Sequence, residues 1–122
     1  MKILLDTHIL LWHLTDHPKL SQKSSDLIES PDHEKFLSIA SLWEIAIKSS
    51  LGKLEIQCAL DLIVPREIII LDIKIEHLKQ VQKLPLHHRD PFDRLLIAQA
   101  VSEKLNVMTD DECFKQYEVV II

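Results

Sequence analysis

The sequence predicts an α/β fold, a doubly wound domain on a central sheet of five mostly parallel strands. Short apolar runs rich in Leu, Ile and Val alternate along the chain with segments of helical spacing. Runs without polar alternation belong to strands buried on both faces, and a helix between successive strands sets them parallel. Acidic and hydroxyl residues recur where each run gives way to the next helix, which is the capping position.

The elements follow in order. "KILL" (2–5) is a buried strand ending at Asp6, and "THILLWHL" (7–14) is a helix with apolar residues on most sides. "SQKSSDLIES" (21–30) is an amphipathic helix stopped by Pro31, and "KFLSIA" (35–40) is a second buried strand. "SLWEIAIKSSLGKL" (41–54) is helical by its apolar spacing and stops at Gly52. Residues 55–66 show no readable periodicity. "EIIILDI" (67–73) is a third strand by its β-branched content. "KIEHLKQVQKL" (74–84) is helical by Ile75, Leu78 and Val81, and Pro85 ends it. "PFDRLLIAQAVSEKL" (91–105) carries the strongest helical pattern. "NVMT" (106–109) is a fourth strand, "DECFKQY" (111–117) a short helix and "EVVII" (118–122) a fifth strand.

Composition narrows the function classes. The chain has 122 residues, one Gly and no low-complexity block, so residues 1–122 are expected to form a single domain. No basic, apolar and cleavable leader opens it and no apolar run is long enough for a membrane span, so a cytoplasmic protein without membrane contact is expected. Cys58 and Cys113 lack CxxC spacing and are expected to be reduced and buried. The formal net charge of −5 argues against a simple phosphate clamp. It leaves open an enzyme that meets phosphates through a bound cation.

Each acidic candidate has a local structural role available. Asp6 suits the N-cap of the helix beginning at Thr7. Ser41 and Glu44 have the spacing of a capping box. Asp90 suits the cap of the helix that Pro91 opens, and Asp93 in its first turn favours the positive end of the helix dipole. Asp110 or Asp111 caps the last helix. Joint placement is what points to chemistry. Asp6, Glu44, Asp93 and Asp111 each lie near the carboxyl end of a strand or in the helix turn beside it, and in a parallel sheet those ends share one edge. Four carboxylates gathered there repel by about 4 kcal/mol per close pair at an effective dielectric of about 20. A hard divalent cation relieves that repulsion. Asp90 as a cap then leaves Asp93 free to face the metal.

Four stretches together, "LLDTHILLWHL", "SIASLWEIAIKSSLGKL", "LPLHHRDPFDRLLIAQA" and "VMTDDECFKQY", resemble the PIN-domain proteins, and within them the VapC-like toxins of bacterial type II toxin–antitoxin modules. The resemblance covers nearly the whole chain. It implies a three-layer α/β/α fold and a metal-dependent endoribonuclease using Mg²⁺, with Mn²⁺ able to substitute. It implies an acidic quartet at Asp6, Glu44, Asp93 and Asp111, the last chosen over Asp110 by its spacing from Thr109 and Phe114. It also implies a homodimer held inactive by a small antitoxin, and an RNA substrate. In the family the third strand lies at the sheet edge, which makes Asp72 a helix cap remote from the crevice.

His87, His88 and Arg89 form a polar loop beside this site, read either as solvated or as contacting RNA phosphate. Arg94 pairs with Asp93 or with a phosphate. His13 and His17 are four apart but lack the further ligands that zinc needs. Trp12 and Trp43 read as core or dimer interface. Two other classes compete: a catalytically silent binding module, and a phospho-accepting receiver. The receiver pattern needs adjacent acids near the first strand and a Lys near the last, and neither is present here.

Overall fold

A computed structural model describes residues Met1–Ile122. The chain builds β1 (Lys2–Leu5), α1 (Thr7–Leu14), α2 (Gln22–Glu29), β2 (Glu34–Ser38), α3 (Ile39–Ser50), β3 (Ile68–Leu71), α4 (Ile75–Lys83), α5 (Pro91–Glu103) and β4 (Asn106–Met108), with 3-10 turns at Leu60–Leu62 and Glu112–Gln116. The strands are all parallel in the order β3-β2-β1-β4. Leu5 pairs with Leu37 on one side and Met108 on the other, so β1, β2 and β4 all finish at one edge.

Successive residues of β1 divide between two cores. Ile3 and Leu5 pack with Ile9, Leu10, Ile28, Leu37 and Ile45 on one face. Leu4 packs with Leu95, Leu96, Ala100, Phe114 and Tyr117 on the other. The pleat sends alternate side chains to opposite faces, and both faces are covered by helix, giving three layers. Six consecutive residues of α5, Leu95–Ala100, are buried. That explains its continuous apolar run, since a helix packed on all sides has no polar stripe.

The sheet has four strands, not the five expected. Residues 118–122 meet β4 only at Val107, which donates to the Val120 carbonyl, accepts from the Ile122 N–H, and forms an isolated parallel bridge with Ile121. β-branched composition favours extended backbone, but the segment meets β4 at this one position and does not continue as a ladder.

Two capping expectations are corrected. β2 passes into α3 without a loop, so α3 begins at Ile39 and Ser38 is its N-cap, accepting from the Ala40 N–H at 3.0 Å. Ser41 is therefore inside the helix, where its hydroxyl accepts from Thr7 Oγ1 at 2.8 Å, and no Ser41–Glu44 capping box forms. Asp72 does not cap α4: Lys74 stands at the N-cap, and its N–H donates to Nδ1 of buried His77 at 3.0 Å. The third strand does lie at the sheet edge. Gly52 has φ +70°, a left-handed conformation that Gly adopts without strain, and it follows the last turn of α3. The cysteines are not buried as expected. Cys58 is exposed and Cys113 half-buried, and the Asp111 carboxylate beside Cys113 pushes its thiol up.

Candidate functional site

Asp6 stands where β1 turns into α1. Its Oδ1 accepts from the Thr7 N–H at 2.7 Å, its Oδ2 accepts from Thr109 Oγ1 at 2.7 Å, and its own N–H donates to the Met108 carbonyl at 3.0 Å. It is thus a cap, as its position predicts, and is also tied to the segment after β4. The residue is buried. Burial raises its carboxyl above the ordinary range, the bonds from Thr109 and Thr7 pull it back, and Glu44 adds like charge.

Asp93 is in the first turn of α5. Asp90 is the N-cap, its Oδ1 accepting from the Phe92 and Asp93 N–H groups at 2.9 and 3.1 Å, so the expected cap is in place and Asp93 is not needed for it. Asp93 Oδ2 instead meets His88 Nε2 at 2.8 Å. Its carboxyl is raised to about 6, first by burial, against the lowering bond from His88, with further upward pressure from Asp90, Asp6 and Asp111.

The charges of Asp6 and Asp111 both reach Asp93, and that of Glu44 reaches Asp6. Electrostatic influence thus links Asp6 with Glu44 and Asp93 with Asp6 and Asp111, but the four do not form a set of ligand atoms within 4.8 Å of one another. Glu44 is 12% exposed in its side chain and is paired with Lys48 at 2.9 Å. Asp111 is exposed, caps the last 3-10 turn by accepting from the Cys113 N–H at 2.9 Å, and donates its own N–H to Thr109 Oγ1 at 3.0 Å. Asp110 is exposed and is not among the charges acting on Asp93.

The donor set suits a hard cation. Oxygen ligands predominate, and each bonded carboxylate oxygen retains a second lone pair. Buried acids with raised proton affinity are what a cation would relieve. His88, Asp90 and Asp93 offer ligand atoms within 4.8 Å of one another, and His88 is the member that sequence reasoning did not attach to the acids. Its position five residues before Asp93 was visible, but the loop geometry that folds it back was not.

Arg94 is directed away from the acids. Its guanidinium donates to the carbonyls of Pro85, His88, Val81 and Leu84 and to the Tyr117 hydroxyl, at 3.0–3.5 Å. It clamps the connection between α4 and α5, and forms no ion pair with Asp93. Arg89 is exposed in that same connection. Trp12 packs partly into the core, whereas Trp43 is exposed and belongs to no core cluster. His17 stacks on Trp12 and its Nδ1 accepts from the Lys19 N–H, so it forms no metal set with His13.

A parallel α/β sheet that gathers acidic side chains at its carboxyl edge defines a class of compact domain suited to holding divalent cations. The chain matches the PIN domain family model over residues 3–120 and belongs to that family. Solved structures agree in fold. VapBC2 from Rickettsia felis, bound to a DNA fragment from their promoter, superposes with a TM-score of 0.75 at 19% identity, covering 99% of this chain and 96% of that one. A toxin–antitoxin complex from Klebsiella pneumoniae gives 0.65 at 18%, and FitAcB from Neisseria gonorrhoeae 0.64 at 16%, each over 98% of this chain and 96% of theirs. No curated protein matches the sequence significantly. No helix is long and apolar enough to cross a membrane.

Proposed function

We propose that this protein is a metal-dependent endoribonuclease, the toxin of a toxin–antitoxin pair, acting on RNA in the cytoplasm. What supports the reading is the electrostatic influence that links Asp6 with Glu44 and Asp93 with Asp6 and Asp111, with burial raising the carboxyls of Asp6 and Asp93. Those four carboxylates would hold Mg²⁺, or Mn²⁺ in its place. When bound, such an ion supplies charge neutralisation at a phosphoryl oxygen and a water acidified toward neutral pH.

The chain's own groups set the stage for that chemistry. Thr7 and Thr109 fix both oxygens of Asp6, so its carboxylate does not have to reorient when a substrate arrives. His88 holds Asp93 Oδ2 and leaves Oδ1 open. Lys48 restrains Glu44. Asp90 satisfies the first N–H groups of α5 and so spares Asp93 that task. With Arg94 committed to its clamp, the phosphate contact falls to exposed Arg89.

Partners enter on two grounds. Two of the structural neighbours are described as a toxin–antitoxin complex and as a VapBC2 assembly. Here an apolar groove of about 280 Å³, lined by residues that include Leu11, Leu14, Ile56, Leu62 and Ile63, supports docking of a small antitoxin, and a homodimer completes the reading. Sedimentation of a monomer at high micromolar concentration would count against that dimer.

The test is cleavage of RNA by purified protein in Mg²⁺, with and without EDTA. Cleavage should stop in EDTA and in Asp93→Asn, whose circular dichroism should match wild type. Full activity in that variant would overturn the metal-site assignment. RNA binding without cleavage would instead favour a silent binding module.

A further inference from the structure

The two tryptophans of this chain are placed in opposite ways. Trp12 packs against the core, stacks on His17 with centroids 5.6 Å apart and planes 23° from parallel, and has Lys19 Nζ 5.9 Å from its ring centre. Its faces are occupied. Trp43 on α3 is 56% exposed and has one aromatic neighbour, Phe92 on α5, at 5.1 Å and 73°. Edge-to-face contact with one neighbour orients the indole and leaves more than half of the residue open to solvent.

Position gives this pair its meaning. Trp43 immediately precedes Glu44, and Phe92 immediately precedes Asp93. The rings therefore join the two helices that carry half of the acidic quartet. A phosphodiester held at those carboxylates brings a nucleobase with it, tethered through one ribose. An exposed aromatic side chain in contact across the two helices that carry Glu44 and Asp93 suits the base, because every base has a π-face and stacking does not depend on its identity. The aliphatic surface suited to a protein helix lies elsewhere, in the groove lined by Leu11, Leu14, Ile56, Leu62 and Ile63.

The geometry points to Trp43, oriented by Phe92, as a stacking platform for an unpaired base of the RNA next to the scissile phosphate. This rests on the nuclease reading above. It assigns Trp43 a substrate-binding role at the base beside the scissile phosphate.

The experiment measures binding and not turnover. Fluorescein-labelled hexa-adenylate and an abasic ribose-phosphate hexamer of equal charge are titrated by anisotropy in Ca²⁺, with gels confirming intact probe. Wild type should favour hexa-adenylate. Trp43→Ala should weaken hexa-adenylate binding by roughly five- to 150-fold, the range that stacking of one base gives, and leave the abasic probe unchanged. Trp43→Phe should retain most of the preference. Equal binding of hexa-adenylate by wild type and Trp43→Ala overturns the platform, as does a loss shared equally by both probes. A Trp43→Ala protein whose association state changes by sedimentation overturns it too, marking this face as a contact between copies. Failure of wild type to bind either probe also overturns the platform, while the nuclease reading is decided separately, by cleavage in Mg²⁺.

Discussion

Removing the charge of Asp93 should stabilise the metal-free protein, and by an amount that depends on pH. Asp93→Asn keeps the side-chain shape and an oxygen that accepts from His88 Nε2, where Asp93 Oδ2 now lies at 2.8 Å. What it removes is an acid that titrates near 6 in the folded protein against 3.8 in the unfolded chain. Well below pH 3.8 both states hold the proton, and the group costs nothing. Between the two values the unfolded chain has released its proton while the folded protein keeps it. The folded state is thereby penalised progressively, and the penalty is complete above 6. At about 1.4 kcal/mol per pH unit the full penalty approaches 3 kcal/mol. Loss of a favourable charge in the first turn of α5 offsets about 0.3–1 kcal/mol, which leaves a gain of about 2 kcal/mol. Urea denaturation of both proteins in EDTA, at intervals from about pH 4 to about pH 8, measures it. The advantage of Asp93→Asn should be small at the acid end, grow through pH 6 and level off. Mg²⁺ should then erase it by stabilising wild type alone. An advantage that is constant with pH, or a variant less stable than wild type at pH 8, would refute the burial and like-charge account of this acid.

Asp90→Ala should go the other way, losing about 0.5–2 kcal/mol through the lost cap while RNA cleavage falls only partly; an equally stable but inactive variant would show that the roles of Asp90 and Asp93 are exchanged. Arg94→Lys replaces a fork that reaches five acceptors with a single ammonium. It should cost about 1–3 kcal/mol and speed amide exchange in residues 84–90, whereas an unchanged melting temperature would show the clamp to be dispensable. Asp6→Asn should raise the melting temperature in EDTA and blunt the response to Mg²⁺, with the gain shrinking as salt screens the repulsion; an equal Mg²⁺ response in both proteins would mean that Asp6 does not share a cation with the others.

The sequence alone determined whatever depends on neighbours a few residues apart. Apolar runs and helical spacing located four strands and the principal helices. Asp6 and Asp90 announced themselves as caps because a cap needs only the N–H groups of the next turn. The sequence pointed to the four acids jointly because parallel strands must end at a common edge.

Tertiary structure decided everything that requires a partner from far along the chain. Residues 118–122 have strand composition, yet pairing is a property of two segments, and the short β4 gives them one point of contact at Val107. Ser41 had the spacing of a cap, but β2 runs straight into α3 and turns its hydroxyl to Thr7, 34 residues away. Arg94 adjoins Asp93 in sequence but, one helical position on, points to the backbone of the α4–α5 connection and to Tyr117. His77 had no signal beyond its place in an amphipathic helix, and is wholly buried because Glu103 and the Lys74 N–H meet its two ring nitrogens. Trp43 read as core or dimer interface by its apolar neighbours and is not in the core because α3 turns Ile45, not Trp43, toward the sheet. Local propensity is a short-range free energy, whereas burial, pairing and proton affinity are set by which distant groups the fold brings within a few ångströms.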